Sequence, residues 1–257
     1  MPRGPKSRKK NILDNNPNTF DNTNISFTRP TQGFPPKIII KSLNKRIDGV
    51  YEFMTTGGEG ILYLHSNKKY VLKLLYFGGY DLLYYQIKLQ LEARDIAPKI
   101  YAYSKKTNAI HIDNKDTYGY IMEYLKKPVL LGDFLQTETN WIKLYKLLYT
   151  LIFIYKLNLG LDWLGYTGDH LFIKDNKIYL IDFGKITKQD GSITSKTLYE
   201  SALKDVVHHG NISFNKELFI EKGLSFLTQT GGVLRKKYKR RVRRSRRKHT
   251  RRLRKKY

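Results

Sequence analysis

The apolar positions of this chain change their period once. From Tyr51 to Tyr124 they come in short strand-like runs broken by glycine or polar turns, and from Asn140 onward they recur at helical spacing. The first region opens after Ile38-Ile39-Ile40. It continues through Tyr51, the turn Gly57-Gly58-Glu59-Gly60, the run Ile61 to Leu64, the turn Ser66 to Lys69, and the run Tyr70 to Leu75. A helix is predicted from about Asp81 to Asp95, closed by Ala97-Pro98. A hairpin is then predicted from Lys99–Tyr103 and Ala109–Ile112, with a further strand at Tyr118–Tyr124. This order predicts a small sheet with one helix. In the second region Trp141, Leu144, Leu147, Leu148, Leu151, Ile152 and Tyr155 form one broad helical face. The hairpin Leu171–Ile181, turning at Lys174-Asp175-Asn176-Lys177, follows, then helices at about Ser195–His208 and Asn215–Thr228.

The ends of the chain lack such patterning. Residues 1 to 35 mix Pro, Asn, Thr and Arg without apolar periodicity, which predicts a disordered segment. Thr230-Gly231-Gly232 breaks the last helix, and residues 232–257 are predicted to be a disordered tail. Two folded parts remain, 36–125 and 126–231.

Charge sharpens that division. Residues 233–257 hold 16 Lys or Arg and residues 1–10 hold 5, with no acid in either, so the two ends supply 21 of the net +26. Such a tail repels itself and becomes ordered only on a polyanion, so residues 235–256 are expected to bind nucleic acid or another polyanion. The chain has no cysteine, which excludes disulfides and thiolate chemistry and fits a reducing compartment, cytoplasm or nucleus. The basic first residues carry no apolar core of signal-peptide length. The longest greasy stretch, Ile142–Leu161, contains Lys143, Lys146 and Lys156, whereas a membrane span needs about 20 nearly uninterrupted apolar residues. No transmembrane segment is expected.

Two residues suggest chemistry. Lys73 sits inside Val71-Leu72-Lys73-Leu74-Leu75, where an ammonium is expensive to bury without an anion, although strand alternation could equally point it to solvent. Asp182 ends the apolar run Ile178–Ile181 and lies 109 residues later. A lysine on one strand can neutralise phosphates, and a carboxylate at a strand end can hold magnesium on a triphosphate. Between them in kind stands the glycine turn. Gly57, Gly58 and Gly60 let backbone amides approach phosphates closely, although hairpins also use glycine routinely.

With these residues in place the chain resembles the protein-kinase-like superfamily, most of all its small, divergent, atypical viral and microbial members, over about residues 50–210. Thr56-Gly57-Gly58-Glu59-Gly60-Ile61-Leu62-Tyr63 is similar to the phosphate-covering loop, and Val71-Leu72-Lys73 to the strand bearing the phosphate-binding lysine. Ile96-Ala97-Pro98-Lys99-Ile100-Tyr101 is like the segment after the lobe helix. Ile121-Met122-Glu123-Tyr124-Leu125 resembles the hinge, with backbone groups of Glu123 and Leu125 facing adenine, and Leu180-Ile181-Asp182-Phe183-Gly184 the magnesium-binding motif. The resemblance implies an α+β, bilobal fold, with a small antiparallel sheet plus one helix in the first lobe and a mainly helical, minimal second lobe. It implies ATP and Mg2+ as cofactors, a protein or small-molecule acceptor, and virion association for a viral member.

The chain departs from the family pattern in two places. The helix glutamate that pairs with the lysine has no clear counterpart, Gln86 and Glu92 being the candidates. The catalytic loop falls at Asp162–His170, with Gly165 and His170 where the family has its aspartate base and metal-binding asparagine. Asp169 or Asp162 is therefore the candidate base, and Asp169 a second metal ligand beside Asp182. His170 alone reads as a packed loop histidine. Only 47 residues separate Gly184 from Gly231, too few for the large peptide-binding subdomains of typical protein kinases. Two functions follow: an ATP/Mg-dependent phosphotransferase, or a catalytically impaired pseudokinase acting as a nucleic-acid-associated scaffold through its tail.

Overall fold

Strand β6 (Tyr70–Leu75) is buried along its whole length and lies in the middle of the largest sheet. The computed structural model describes residues 17–27, 34–75, 79–93, 95–106, 110–112, 115–126, 130–160, 163–164, 169–209 and 215–229. Chain contacts divide it into two compact units, the first from Met1–Leu91 and Pro98–Tyr124, the second from Glu92–Ala97 and Leu125–Tyr257. The class is mixed α+β.

The first unit contains β1 (Asn18–Phe20), β2 (Ile25–Ser26), β3 (Lys37–Ile40), β4 (Gly49–Thr56), β5 (Gly60–His65), β6, helix α1 (Gly79–Glu92), β7 (Ile100–Ser104), β8 (Ile110–Ile112) and β9 (Lys115–Glu123). All nine strands join one sheet in the order β1-β7-β9-β6-β5-β4-β3-β2, with β8 also on β9. The sheet is larger than the small antiparallel one expected, for two reasons, and one strand is paired differently. Phe20 is fully buried and β1 pairs with β7 in parallel, Asn18 opposite Ala102, so residues 17–27 are structured although their composition predicts disorder. Strand β2 extends the other edge beside β3. Strand β8 does not form a hairpin with β7. Nine-residue β9 holds β8 at Lys115–Thr117 and β7 at Tyr120–Met122.

Alternation along β6 sorts its side chains onto two covered faces. Leu72 and Leu74 join Ile38, Ile40, Tyr51, Ile61, Tyr63 and Ile121 in one core. Leu75 joins Tyr120, Ile100 and the helix residues Leu83 and Ile87 in the other. Helix α1 thus lies on the face that carries Leu75.

Asp21, just after β1, accepts a hydrogen bond from Lys105 at 2.8 Å and others from Thr23, and these partners, Lys105 foremost, hold its carboxyl down at about 2. A depressed folded-state value stabilises the fold above the usual 3.8 and loses that contribution as pH falls toward 2. Asp21→Asn is therefore expected to lower the melting temperature at pH 7 and to lose that effect as the pH falls through about 2, as read by calorimetry.

The second unit is mainly helical: α2 (Leu131–Phe134), α3 (Glu138–Tyr149), α4 (Ser195–His209) and α5 (216–229). Helix α3 runs on into a π turn, Thr150–Ile154, where Tyr155 N–H reaches back to Thr150 O and the Thr150 hydroxyl bonds Lys146 O. Tyr145 donates its hydroxyl to Phe219 O at 2.6 Å, tying α3 to α5. Short strands β10 (Leu157–Asn158) and β13 (Thr187–Lys188) pair with each other. Strands β11 (Leu171–Lys174) and β12 (Lys177–Leu180) form the expected hairpin, and Asp175 and Asn176 both take the positive φ, 50° and 61°, that a two-residue turn of this hand requires. Among the described residues no helix is long and apolar enough to cross a membrane. The tail, 232–257, and residues 1–16 lie outside the described residues.

Candidate functional site

In the first unit the question posed by Lys73 is answered by register. Lys73 is two residues from Leu75 and directly opposite Tyr120, so it shares the face covered by α1 and does not point to solvent. Only 7% of it is exposed. Its ammonium pairs with Glu59 Oε2 at 3.6 Å. Glu59 belongs to the glycine turn between β4 and β5, closed by Gly57 N–H to Gly60 O at 2.8 Å.

The three glycines are there for different reasons. A Cβ on Gly60 would stand 2.1 Å from Leu74 O, so the close approach of β5 and β6 requires glycine. Gly58 has nothing within 4 Å of where a Cβ would be, and Gly57 only Gly60 O at 4.0 Å. Neither takes a positive φ. Neither close packing nor backbone conformation accounts for glycine at 57 and 58.

Of the two expected helix partners for Lys73, Glu92 forms an ion pair with Lys188. Gln86 is 3% exposed on the inner face of α1 with Leu83 and Gln90, and its Oε1 has no hydrogen-bond partner among the described residues. Leaving such an acceptor buried costs about 1–3 kcal/mol. Gln86→Met, which keeps the volume and removes the acceptor, is expected to stabilise the protein by about 1 kcal/mol in urea unfolding. Destabilisation would mean that Oε1 is hydrogen-bonded in solution. At the expected hinge, Glu123 N–H donates to Lys99 O at 2.8 Å and Tyr124 N–H to Lys69 O at 2.9 Å, while Leu125 is buried. The Glu123 N–H is thus taken by the Lys99 carbonyl, so of the backbone groups the resemblance would assign to adenine the Glu123 carbonyl and the Leu125 N–H remain candidates.

In the second unit Asp182 follows β12 and adopts φ 58°, a conformation uncommon outside glycine and best tolerated by Asn, Asp and His. Its Oδ1 accepts Gly184 N–H at 3.3 Å. The backbone fixes His170 alongside: His170 N–H bonds Leu164 O at 3.1 Å, and Ile181 N–H bonds His170 O at 2.9 Å. The ring Nδ1 lies 3.1 Å from Trp163 O. A carbonyl only accepts, so Nδ1 carries a proton and Nε2 is the nitrogen turned to the carboxylates. It stands 3.9 Å from Asp182 Oδ2 and 4.0 Å from Asp169 Oδ1. Asp169 is exposed, Asp182 half-buried. Asp162 lies outside the described residues.

Asp169 and Asp182 thus converge on His170, which the sequence alone reads as a packing residue. The sequence alone likewise gives Glu59 no role. Its signal was an acid in the turn that immediately precedes the strand paired with the buried lysine. Among the described residues no group of three or more His, Asp or Glu side chains is arranged to hold a metal ion. Magnesium on a nucleotide needs less, one or two carboxylates with phosphate and water oxygens completing the shell, and Asp182 fits that demand. No protein-family model matches the chain, and no curated protein matches it.

Proposed function

We propose that the chain is an ATP- and magnesium-dependent phosphotransferase of protein-kinase-like, bilobal fold, an atypical serine/threonine protein kinase. The observation that carries this reading is Lys73, an ammonium buried beneath a helix beside a turn whose Gly57 and Gly58 have no steric cause in the fold. Lys73 holds the triphosphate, Gly57, Gly58 and Gly60 admit it, the Glu123 carbonyl and Leu125 N–H receive adenine, and Asp182 with Asp169 holds the metal. Magnesium, when bound, neutralises charge on the phosphate oxygens. Asp169 or Asp162 accepts the acceptor's hydroxyl proton. His170, donating Nδ1–H to Trp163 O, stands with Nε2 3.9 Å from Asp182 Oδ2 and 4.0 Å from Asp169 Oδ1.

A second reading has its own support. Glycine and histidine stand where the family has its base and its asparagine, and Asp169 faces His170. These favour a pseudokinase whose working part is the polybasic segment 235–256, a nucleic-acid-associated scaffold. Thermal-shift titration with ATP and magnesium, paired with radiolabelled ATP turnover, separates the readings. Stabilisation with turnover supports the enzyme, stabilisation alone the pseudokinase, and neither leaves the scaffold.

The tail has a separate test. Deleting residues 235–257 is expected to abolish salt-sensitive DNA binding and to leave nucleotide binding intact. For six to ten phosphate contacts, the parent's affinity falls roughly three to five orders of magnitude between 50 and 200 mM salt. Equal DNA retention by the shortened chain in a filter-binding assay removes the tail assignment.

A further inference from the structure

Lys73 and Glu59 are unequal partners. The lysine side chain is 9% exposed and held in the middle of a nine-stranded sheet, whereas the glutamate side chain is 31% exposed and rides on a turn. At 3.6 Å their contact is an ion pair longer than a normal hydrogen bond. An ammonium so buried cannot exchange its partner for water without a large penalty. The glutamate, a third exposed although its Oε2 is buried against the lysine, is the partner within reach of water. The turn that carries it is closed at its base by Gly57 N–H to Gly60 O and is open at its tip, Gly58. A Cβ at Gly60 would stand 2.1 Å from Leu74 O, so that end of the turn is packed against β6, whereas a Cβ at Gly58 would meet nothing within 4 Å.

We infer that Glu59 is an internal stand-in for phosphate: its carboxylate occupies the anion position on Lys73, and a polyphosphate ligand binds by displacing it, swinging the glycine turn about Gly60. This rests on the reading of Lys73 as a phosphate-binding residue, and it adds a built-in competitor for that site. The competitor lowers affinity for every ligand that reaches Lys73 through an anionic group and leaves uncharged ligands unaffected. It also keeps the buried ammonium compensated when no ligand is present.

The test uses the full chain, with ATP, inorganic tripolyphosphate and adenosine as three separate probes in isothermal titration without metal. Glu59→Gln keeps the shape and removes the charge. It is expected to tighten ATP and tripolyphosphate about 3- to 10-fold and to leave adenosine unchanged, and the gain is expected to vanish when Lys73→Met is added. Unchanged or weaker polyphosphate binding by Glu59→Gln overturns the inference, as does a gain that survives Lys73→Met.

Should neither the parent nor Glu59→Gln bind ATP or tripolyphosphate, the phosphate reading of Lys73 fails. The pair itself is then judged by a double-mutant cycle in urea. Stability losses of Lys73→Met and Glu59→Gln that are less than additive in the double variant support Glu59 as the counterion of Lys73. Losses that simply add overturn that as well.

Discussion

Asp182→Asn is expected to reduce magnesium-dependent phosphoryl transfer by on the order of 100-fold or more while the melting temperature stays within about 2 °C of the parent. The structure explains why the two effects separate. Asn, like Asp, tolerates the positive φ of 58° at this position, and its side-chain oxygen can still accept the Gly184 N–H. What disappears is one negative charge at the atom facing His170 Nε2. A magnesium titration of turnover in parent and variant reads this directly. Equal turnover at equal metal would remove Asp182 from the site, and a collapse of the melting temperature would make its role structural.

Gly60→Ala is expected to destabilise the protein by about 3 kcal/mol, lowering the melting temperature by roughly 6–12 °C. The added methyl would lie 2.1 Å from Leu74 O and 3.2 Å from Leu75 Cα, both backbone atoms of the buried central strand. No side-chain rotation relieves that contact, so β5 and β6 must part. Gly58→Ala is the matched control: with nothing within 4 Å, it should change stability by less than about 0.5 kcal/mol. If the turn admits phosphates, the same substitution raises the KM for ATP with little change in fold. Calorimetry on both variants, with ATP kinetics on Gly58→Ala, separates the glycine the sheet needs from the glycines the ligand needs.

Much of the local structure was legible because its signals are local. The Asp175-Asn176 turn, the strands on either side of it and the amphipathic face of α3 follow from residues within a few positions of one another. Pairing over long distances was not. Strand β1 has three residues, Asn18-Thr19-Phe20, and becomes a strand only because β7, more than 80 positions later, lies beside it. The β7–β8 hairpin was a reasonable expectation from two adjacent apolar runs, and nothing in either run shows that β9 is long enough to take both. The orientation of Lys73 was illegible for the same reason. Alternation gives two opposite faces, but only the placement of α1 on the Leu75 face says that the lysine is buried. Likewise the contact between Glu59 and Lys73 arises from a turn and a strand whose closeness depends on a glycine, Gly60, and no pattern of charges along the chain announces it.

The pairing of β1 with β7 has a practical corollary for anyone shortening this protein. The compositional boundary near residue 35 invites a cut that would carry away Phe20 and the edge strand with it. The remaining chain would present a bare row of β7 amides and carbonyls beside a vacated hydrophobic socket, the kind of edge that recruits a second molecule and aggregates. A cut before Pro17 keeps the hem of the sheet sewn.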